Sequence, residues 1–349
     1  MGNRMKTCII AQFPPPIHGL SKAVDTMFNS SLKEEFDFSK IDLTDNKRFL
    51  GNMIKLIRNK SELFYLTLSQ SRMGNLRDLI VLKVIRMKKS KCIVHLHGGY
   101  YRKMVDNDLP KWQRNQNYKA ISQVNKAIVL SDSLRYIFKD MLPDERIFVV
   151  PNCVDDEYLS CEEKNHKHPD GKIHILYLSN FIESKGYKDV LKMALLEKNE
   201  NRGYHFDFAG RFPNEVERKF FESYVRENEL QDIVTYYGVV EGQRKKELLA
   251  NNDIFVLLTR YPKEGQPISI LEAMGNSLAI IATDFAAISD LVIDGESGML
   301  VPTDFSVEQV YDRIRTLDIE KIGSINHSEV VNNYTEKNYI EKLRSVFWF

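Results

Sequence analysis

The 349-residue sequence has four cysteines, two tryptophans, no surplus of either charge and no long apolar run. Each scarcity excludes something. Cys8, Cys92, Cys153 and Cys161 show no CxxC spacing, so neither a zinc framework nor a disulfide scaffold is expected. Cys8 and Cys92 sit in apolar runs and read as small core residues of a reducing compartment. No stretch reaches the roughly 18 apolar residues of a membrane-spanning helix. Only four apolar residues run together before Gln12, too few for a secretory signal. A cytoplasmic protein is the expectation. A formal net charge of +1 removes the whole-molecule argument for nucleic-acid binding. No GxGxxG follows a predicted strand, which sets aside a Rossmann dehydrogenase. There is no internal repeat.

What is present is strand–helix alternation. Short β-branched or aromatic runs at 7–13, 38–43, 63–69, 92–98, 126–131 and 146–151 form a first set. A second set comprises 174–179, 204–210, 234–238, 253–259, 279–283 and 298–302. Stretches with helical spacing separate them, which predicts parallel sheets covered by helices on both faces. Twelve strands exceed one typical open sheet, and a chain of this length divides naturally into two cores. The polar stretch CEEKNHKHPDGK, within 150–172, has linker composition. The expected domains are 1–160 and 170–333. A helix over 334–349, with Tyr339, Ile340, Leu343, Val346 and Phe347 at amphipathic spacing, is expected to pack back on the first. Two doubly wound domains of this kind would face a central cleft, with ligands beyond the carboxyl ends of the strands.

The strongest signal follows the run 253–259. A loop with Glu264, Gly265, Gln266 and Pro267 leads into a predicted helix from Ile268 to Met274, which Gly275 can end. The free N–H groups and dipole at its start favour a phosphate. Glu272 is a lone carboxylate among Ile268, Ile270, Leu271, Ala273 and Met274, and it needs solvent or a hydrogen-bonding partner. Sugar hydroxyls would serve. Glu264 would flank the same phosphate from the other side. For either glutamate alone a solvated charge is an equal reading; for the whole pattern it is the weaker one.

Glu264–Glu272 resembles the E-x7-E motif of family 4 of the retaining glycosyltransferases, which have the GT-B fold. The run EAMGNSLAIIATDFAAISDLVIDGESGMLVP is similar to that family's sequence through the same region. The resemblance is specific over 173–305 and weaker across the N-terminal half. It implies two Rossmann-like domains, with the donor in the C-terminal one and acceptor contacts in the N-terminal one. It also implies that Glu264 contacts the donor sugar and Glu272 holds the ribose hydroxyls. Gly265, Gln266, Pro267 and Ile268 complete the donor loop.

Lys185, in LSNFIESKG, precedes a helix at a place where a compact charge can neutralise a leaving diphosphate. Alone, it would read as a surface lysine. Members of the resembled family usually carry an arginine five residues earlier, where this sequence has Asn180; Arg211 in FAGRF is the candidate substitute. After the first strand, AQFPPPIHGLS places Gly19 where backbone can approach a phosphate and Ser21 where it can cap the next helix. One glycine of the family's usual pair is His18 here, and the triple proline has the plainer reading of a rigid turn. His97, followed by Gly98 and Gly99, resembles the family's strand-end histidine at the donor sugar. His95 has the same parity and is the alternative.

No carboxylate is an evident general base. The resemblance implies that donor phosphate helps take the acceptor proton, leaving positioning and electrostatic stabilisation to the protein. Asp106-x-Asp108 mimics a metal-binding DxD but lies in a polar loop without a preceding strand. No metal or cofactor is therefore expected; the nucleotide sugar is a substrate. From Lys55 to Lys103, twelve basic residues face only Glu62 and Asp78, a balance of about +10. Within this stretch Arg72–Lys91 suits an anionic membrane surface, where a lipid-linked acceptor would be found. A sheet-covering helix with a solvated basic face is an equal reading.

The sequence therefore points to retaining, metal-independent hexosyl transfer from a nucleoside diphosphate sugar, UDP before GDP. The acceptor would be lipid-linked or a glycan in surface polysaccharide assembly, reached in the cytoplasm or at the cytoplasmic face of the membrane. A nucleotide-sugar epimerase of the same fold, which would need further acid and base groups, is one alternative. A non-catalytic two-domain sugar-binding protein is the other.

Overall fold

Unbroken burial from Thr7 to Ala11 marks β1 (Met5–Ala11) as a strand covered on both faces. The computed structural model describes residues 4–16, 19–160 and 168–349. His18 and Cys161 lie outside them. The chain divides into two units. Unit 1 takes the described residues up to Cys153 together with Lys263–Gln266 and Glu336–Phe349; unit 2 takes Val154–Pro262 and Pro267–Thr335.

Unit 1 continues with α1 (Gly19–Asn29), β2 (Phe36–Asp42), α2 (Phe49–Arg58), β3 (Leu63–Thr67), α3 (Arg72–Met87) and β4 (Lys91–His95). The short α4 (Tyr101–Lys103), α5 (Lys111–Ile121), β5 (Lys126–Val129) and β6 (Ile147–Val149) follow. Its parallel sheet has the order β2-β1-β3-β4-β5-β6, with Cys8 of β1 registered between Ser39 and Phe64. The crossovers β2–α2–β3 and β3–α3–β4 run in the same direction, so right-handed connections put α2 and α3 on one face.

Unit 2 comprises β7 (Ile173–Leu178), α6 (Tyr187–Glu200), β8 (Tyr204–Ala209), α7 (Glu215–Glu227), β9 (Val234–Tyr236), α8 (Gly242–Ala250) and β10 (Ile254–Leu257). Then come α9 (Ile268–Gly275), β11 (Ala279–Thr283), β12 (Gly298–Val301), α10 (Val307–Arg313) and α11 (Ile319–Asn333). The strand order is β12-β11-β10-β7-β8-β9, again parallel throughout.

The last helix, α12 (Glu336–Phe347), completes the core of unit 1. Tyr339, Leu343 and Phe347 pack with Val24, Phe36 and Tyr65. The Phe36 and Phe347 rings meet edge to face at 5.4 Å. Lys126 Nζ donates to the carbonyls of Val346 and Trp348 at 2.8 and 2.5 Å, fastening the helix end to β5.

Local details depart from the sequence expectation. Asp106 and Asp108 lie in a helical turn, Met104–Asp108, and not in a loop. Ser21 is inside α1, where its hydroxyl donates to the Pro16 carbonyl at 2.9 Å instead of capping the helix. Gly275 is the last residue of α9, and the left-handed residue beyond it is Ser277, at φ +60°. Space at 275 is tight: a Cβ there would lie 2.8 Å from Leu159 Cδ2 and 3.2 Å from Val330 Cγ1, so those side chains would have to shift. Cys8, Cys92 and Cys153 are buried free thiols. Burial pushes Cys8 up to about 11 and Cys92 up to about 12, so both stay protonated and inert. Among the described residues no helix is long and apolar enough to cross a membrane.

Candidate functional site

In unit 2 the strand order reverses between β7 and β10. Doubly wound sheets bind ligands at such a switch point, beyond the carboxyl ends of the strands. Two loops leave these strands and are bonded to each other. Behind β7 a 3-10 turn, Glu183–Lys185, closes on Gly186 at φ +86°. Behind β10, the Arg260 N–H donates to the Ser184 carbonyl at 2.6 Å. A Cβ on Gly186 would collide with the Leu258 carbonyl, so both the turn and the close approach require glycine. Lys185 is half-buried, with its ammonium 5.0 Å from the centre of the Tyr261 ring. Arg260, which nothing in the sequence pattern marked, pairs with Asp189 at 2.7 Å and donates Nε to the Thr303 carbonyl at 2.7 Å.

The loop behind β10 ends in α9. Pro267 precedes its first residue, Ile268, and no side chain caps it. One turn in, Glu272 is buried, and Lys245 of α8 reaches it: Nζ and Oε1 are 2.6 Å apart. Lys245 also stands 4.3 Å from the centre of the Tyr158 ring. An ionised carboxylate is costly in so apolar a helix unless paired, and Lys245 supplies the pairing. Sequence reasoning asked for a partner for Glu272 and missed this one. It comes from the helix that precedes β10 in sequence, beyond any local spacing rule.

Asn180 and Arg211 are both exposed. Their backbones hold the loop behind β7: the Arg211 carbonyl accepts the Phe181 N–H at 2.9 Å, and the Asn180 carbonyl accepts from Tyr177 Oη at 2.9 Å. These contacts leave the Asn180 and Arg211 loops side by side at the ends of adjacent strands.

Glu264, Gly265 and Gln266 belong to unit 1, so the E-x7-E motif is divided between the units at Gln266 and Pro267. Within unit 1 these residues run beside the segment behind β4. The Gly99 N–H donates to the Glu264 carbonyl at 2.6 Å, and a Cβ on Gly265 would lie 2.8 Å from the His97 carbonyl. Gln266 and Asn152 are joined twice: Oε1 accepts the Asn152 N–H at 2.7 Å, and Asn152 Nδ2 donates to the Gln266 carbonyl at 2.8 Å. Glu264 and Gln266 are buried there.

His97 lies two residues past β4, whose last residue is His95. His95 is fully buried, with Nδ1 2.5 Å from Tyr65 Oη and its ring centre 3.9 Å from that of His97, the two planes tilted by 31°. Burial, and then the neighbouring His97, holds His95 well below the ordinary histidine range, so its ring is neutral. His95 thus belongs to the core, and His97 is the histidine beside the Glu264 loop. Gly19 is exposed at the first position of α1. Asp106 is engaged by Arg102, Arg114 and Tyr118, and Asp108 by Tyr100. Among the described residues no group of three or more His, Cys, Asp or Glu side chains is placed to hold a metal ion.

A family model described as "Glycosyl transferases group 1" matches residues 161–337, half of the chain. The chain belongs to this family. Two curated relatives of this group 1 glycosyl transferase are themselves bacterial. A "41.2 kDa protein in cps region" of Klebsiella pneumoniae is 24% identical over 276 residues, covering 75% of this chain and 67% of that protein. A "putative colanic acid biosynthesis glycosyltransferase WcaL" of Salmonella typhimurium is 24% identical over 164 residues, covering 46% of this chain and 39% of the relative. The match to WcaL thus spans well under half the relative's length. Among solved structures, Anabaena HepE in complex with UDP superimposes with a TM-score of 0.76 at 12% identity, covering 98% of this chain and 99% of HepE. That likeness establishes the GT-B fold, two Rossmann-like domains, for this group 1 glycosyl transferase.

Proposed function

We propose that the chain is a retaining glycosyltransferase that moves a hexose from a nucleoside diphosphate sugar, UDP before GDP, to a lipid-linked or glycan acceptor in surface polysaccharide assembly. The observation that carries this reading is the unit 2 switch point, where Lys185 and the uncapped start of α9 leave the ends of β7 and β10. Together they offer positive potential to a diphosphate. Glu272, fixed by Lys245, offers carboxylate oxygens to the ribose hydroxyls. Glu264 and His97 meet the donor sugar, with Gly265, Gln266, Pro267 and Ile268 as the backbone of the donor loop. Gly19, Asn180 and Arg211 take secondary phosphate contacts.

In the transfer step the bond between the sugar's anomeric carbon and the diphosphate oxygen breaks, and the acceptor hydroxyl bonds to the same face of that carbon. The departing diphosphate carries the electron pair away and takes the acceptor proton. Lys185 and the α9 dipole stabilise its growing charge, and no metal enters the step. Two observations on relatives support the reading: WcaL is named for colanic acid biosynthesis, and HepE was crystallised with UDP. The same reading puts the protein at the cytoplasmic face of the membrane, held peripherally.

The test is thermal unfolding with UDP, GDP, ADP or NAD, on wild type and Glu272→Ala. A nucleotide at 100 times its dissociation constant adds about 2.7 kcal/mol of stability. One nucleoside diphosphate should stabilise the wild type and lose its effect on the variant. Stabilisation by none, or by NAD alone, would sink the proposal. The anomeric configuration of the product, read by proton NMR, tests retention separately.

A further inference from the structure

We propose that α2 and α3 of unit 1 form a docking surface for a bilayer carrying anionic headgroups. This deepens the peripheral placement in the reading above and rests on that placement, not on the donor chemistry. On α2, Leu50, Ile54 and Ile57 are exposed by 73%, 46% and 59%. Their i, i+4, i+7 spacing makes one stripe along the helix, while Asn52 and Leu56 are its buried residues. On α3, Met73, Ile80 and Met87 are exposed by 76%, 39% and 74%. They lie seven residues apart along one line of roughly 21 Å; Val81, Leu82 and Ile85 are buried. The two helices cover the same face of the sheet. Their ends are tied by Lys88, whose Nζ donates to the Ile57 and Asn59 carbonyls at 2.8 and 2.7 Å. Exposed apolar side chains scattered singly need no explanation, but two aligned stripes on neighbouring helices do.

Charge selects the occupant. The helices carry six basic residues, Lys55, Arg58, Arg72, Arg77, Lys83 and Arg86, against the single acid Asp78. Asp78 is buried and paired with Arg77 at 3.0 Å, which leaves the other five cations exposed and unopposed by any acid of either helix. A second copy of the chain, meeting this face across a two-fold axis, would set cation against cation. An anionic bilayer answers both features: the apolar stripes enter the boundary of the acyl chains, and the flanking Lys and Arg meet lipid phosphates.

The test is co-sedimentation of the full chain with vesicles of phosphatidylcholine alone or mixed with phosphatidylglycerol. The comparison variants are Leu50→Ser/Ile54→Ser/Ile57→Ser and Met73→Ser/Met87→Ser, which alter exposed positions and keep the charge. The wild type should bind the anionic vesicles about tenfold more tightly than the neutral ones. The serine variants should lose about tenfold on anionic vesicles while keeping the wild-type unfolding temperature and nucleotide response. Wild type that binds neither vesicle overturns the proposal. So do serine variants that bind like wild type, since charge alone then explains adsorption. A concentration-dependent dimer that the same variants abolish would give the face to a second copy instead. Should a serine variant not fold, Leu50→Trp supplies the reading: brominated acyl chains must quench its added fluorescence, and an unquenched indole overturns the insertion. Loss of nucleotide binding alone would count against the donor reading and leave this one standing.

Discussion

Lys245 Nζ lies 2.6 Å from Glu272 Oε1, and the two side chains are only 17% and 7% exposed. Removing the cation leaves a carboxylate nearly enclosed by α9 and its neighbours. Lys245→Met should therefore lower the unfolding free energy by about 1–3 kcal/mol, measured by urea denaturation. Lys245→Met/Glu272→Met should recover much of that loss, because an apolar pair needs no compensation. Equal losses in the single and double variants would mean that the pair contributes packing and no charge compensation.

The strand pattern was the most legible part of the chain. Twelve short apolar runs are encoded locally, and each of them overlaps one of the twelve strands among the described residues, with ends shifted by a few residues. Lys185 and the start of α9 were legible for the same reason, since strand ends locate the loops behind them. Contacts between distant residues were not. Lys245 and Glu272 are 27 residues apart with a whole strand between them, and no periodicity connects them. The assignment of Lys263–Gln266 to unit 1 has no local signal either, because four loop residues carry no apolar pattern. His95 and His97 share parity, so alternation could not separate a core histidine from one beyond the strand.

Gly186 and Gly203 have nearly the same positive φ, +86° and +88°, but different surroundings. A Cβ on Gly203 meets nothing within 4 Å, whereas one on Gly186 collides with the Leu258 backbone. Gly203→Ala should cost about 1–2 kcal/mol, the penalty of a left-handed alanine. Gly186→Ala should cost more, because the loop behind β7 must also withdraw from the loop behind β10. It should further weaken nucleoside diphosphate binding, which Gly203→Ala leaves alone. Equal destabilisation and equal binding in the two variants would refute the bracing of Lys185 by this contact.

A cluster of histidines and aspartates at the amino ends of β7, β8 and β10 makes stability depend on pH. His174 Nδ1 is 2.9 Å from Asp207, and its Nε2 is 3.2 Å from Asp170. Burial opposes a charge on His174, but the two carboxylates outweigh it and raise its pKa above the ordinary value. Its contribution is therefore full below the unfolded-state value of about 6.5 and is lost as pH rises through the higher folded value. His205 shifts the other way, lowered first by burial, so its neutral ring costs stability as pH falls through about 6.5. Chemical denaturation across this range should show His174→Asn removing the decline on the alkaline side while His205→Asn removes the decline on the acid side. A wild-type profile with no alkaline decline that His174→Asn removes would contradict the His174 assignment.

Lys185 and Asn180 flank the loop behind β7, and only one of them is charged. If the lysine meets the leaving diphosphate, its effect belongs to the transition state, where charge on that group is greatest. Lys185→Met should then lower kcat by about 10²–10³-fold, with a much smaller change in the dissociation constant of the bare nucleotide. At position 180 the resembled family carries an arginine, and this chain has an exposed asparagine whose backbone alone bonds to the loop. Asn180→Arg adds a cation without breaking any of those backbone bonds. It should tighten nucleoside diphosphate binding about three- to tenfold, the effect of one screened charge near a phosphate, and the gain should shrink as salt is raised. Arg211, one loop away, decides how large the gain is. If Arg211 already supplies the missing charge, Arg211→Gln must weaken binding and Asn180→Arg must restore it in the double variant. Tight binding that ignores Arg211→Gln, Asn180→Arg and salt alike would remove both positions from the phosphate site.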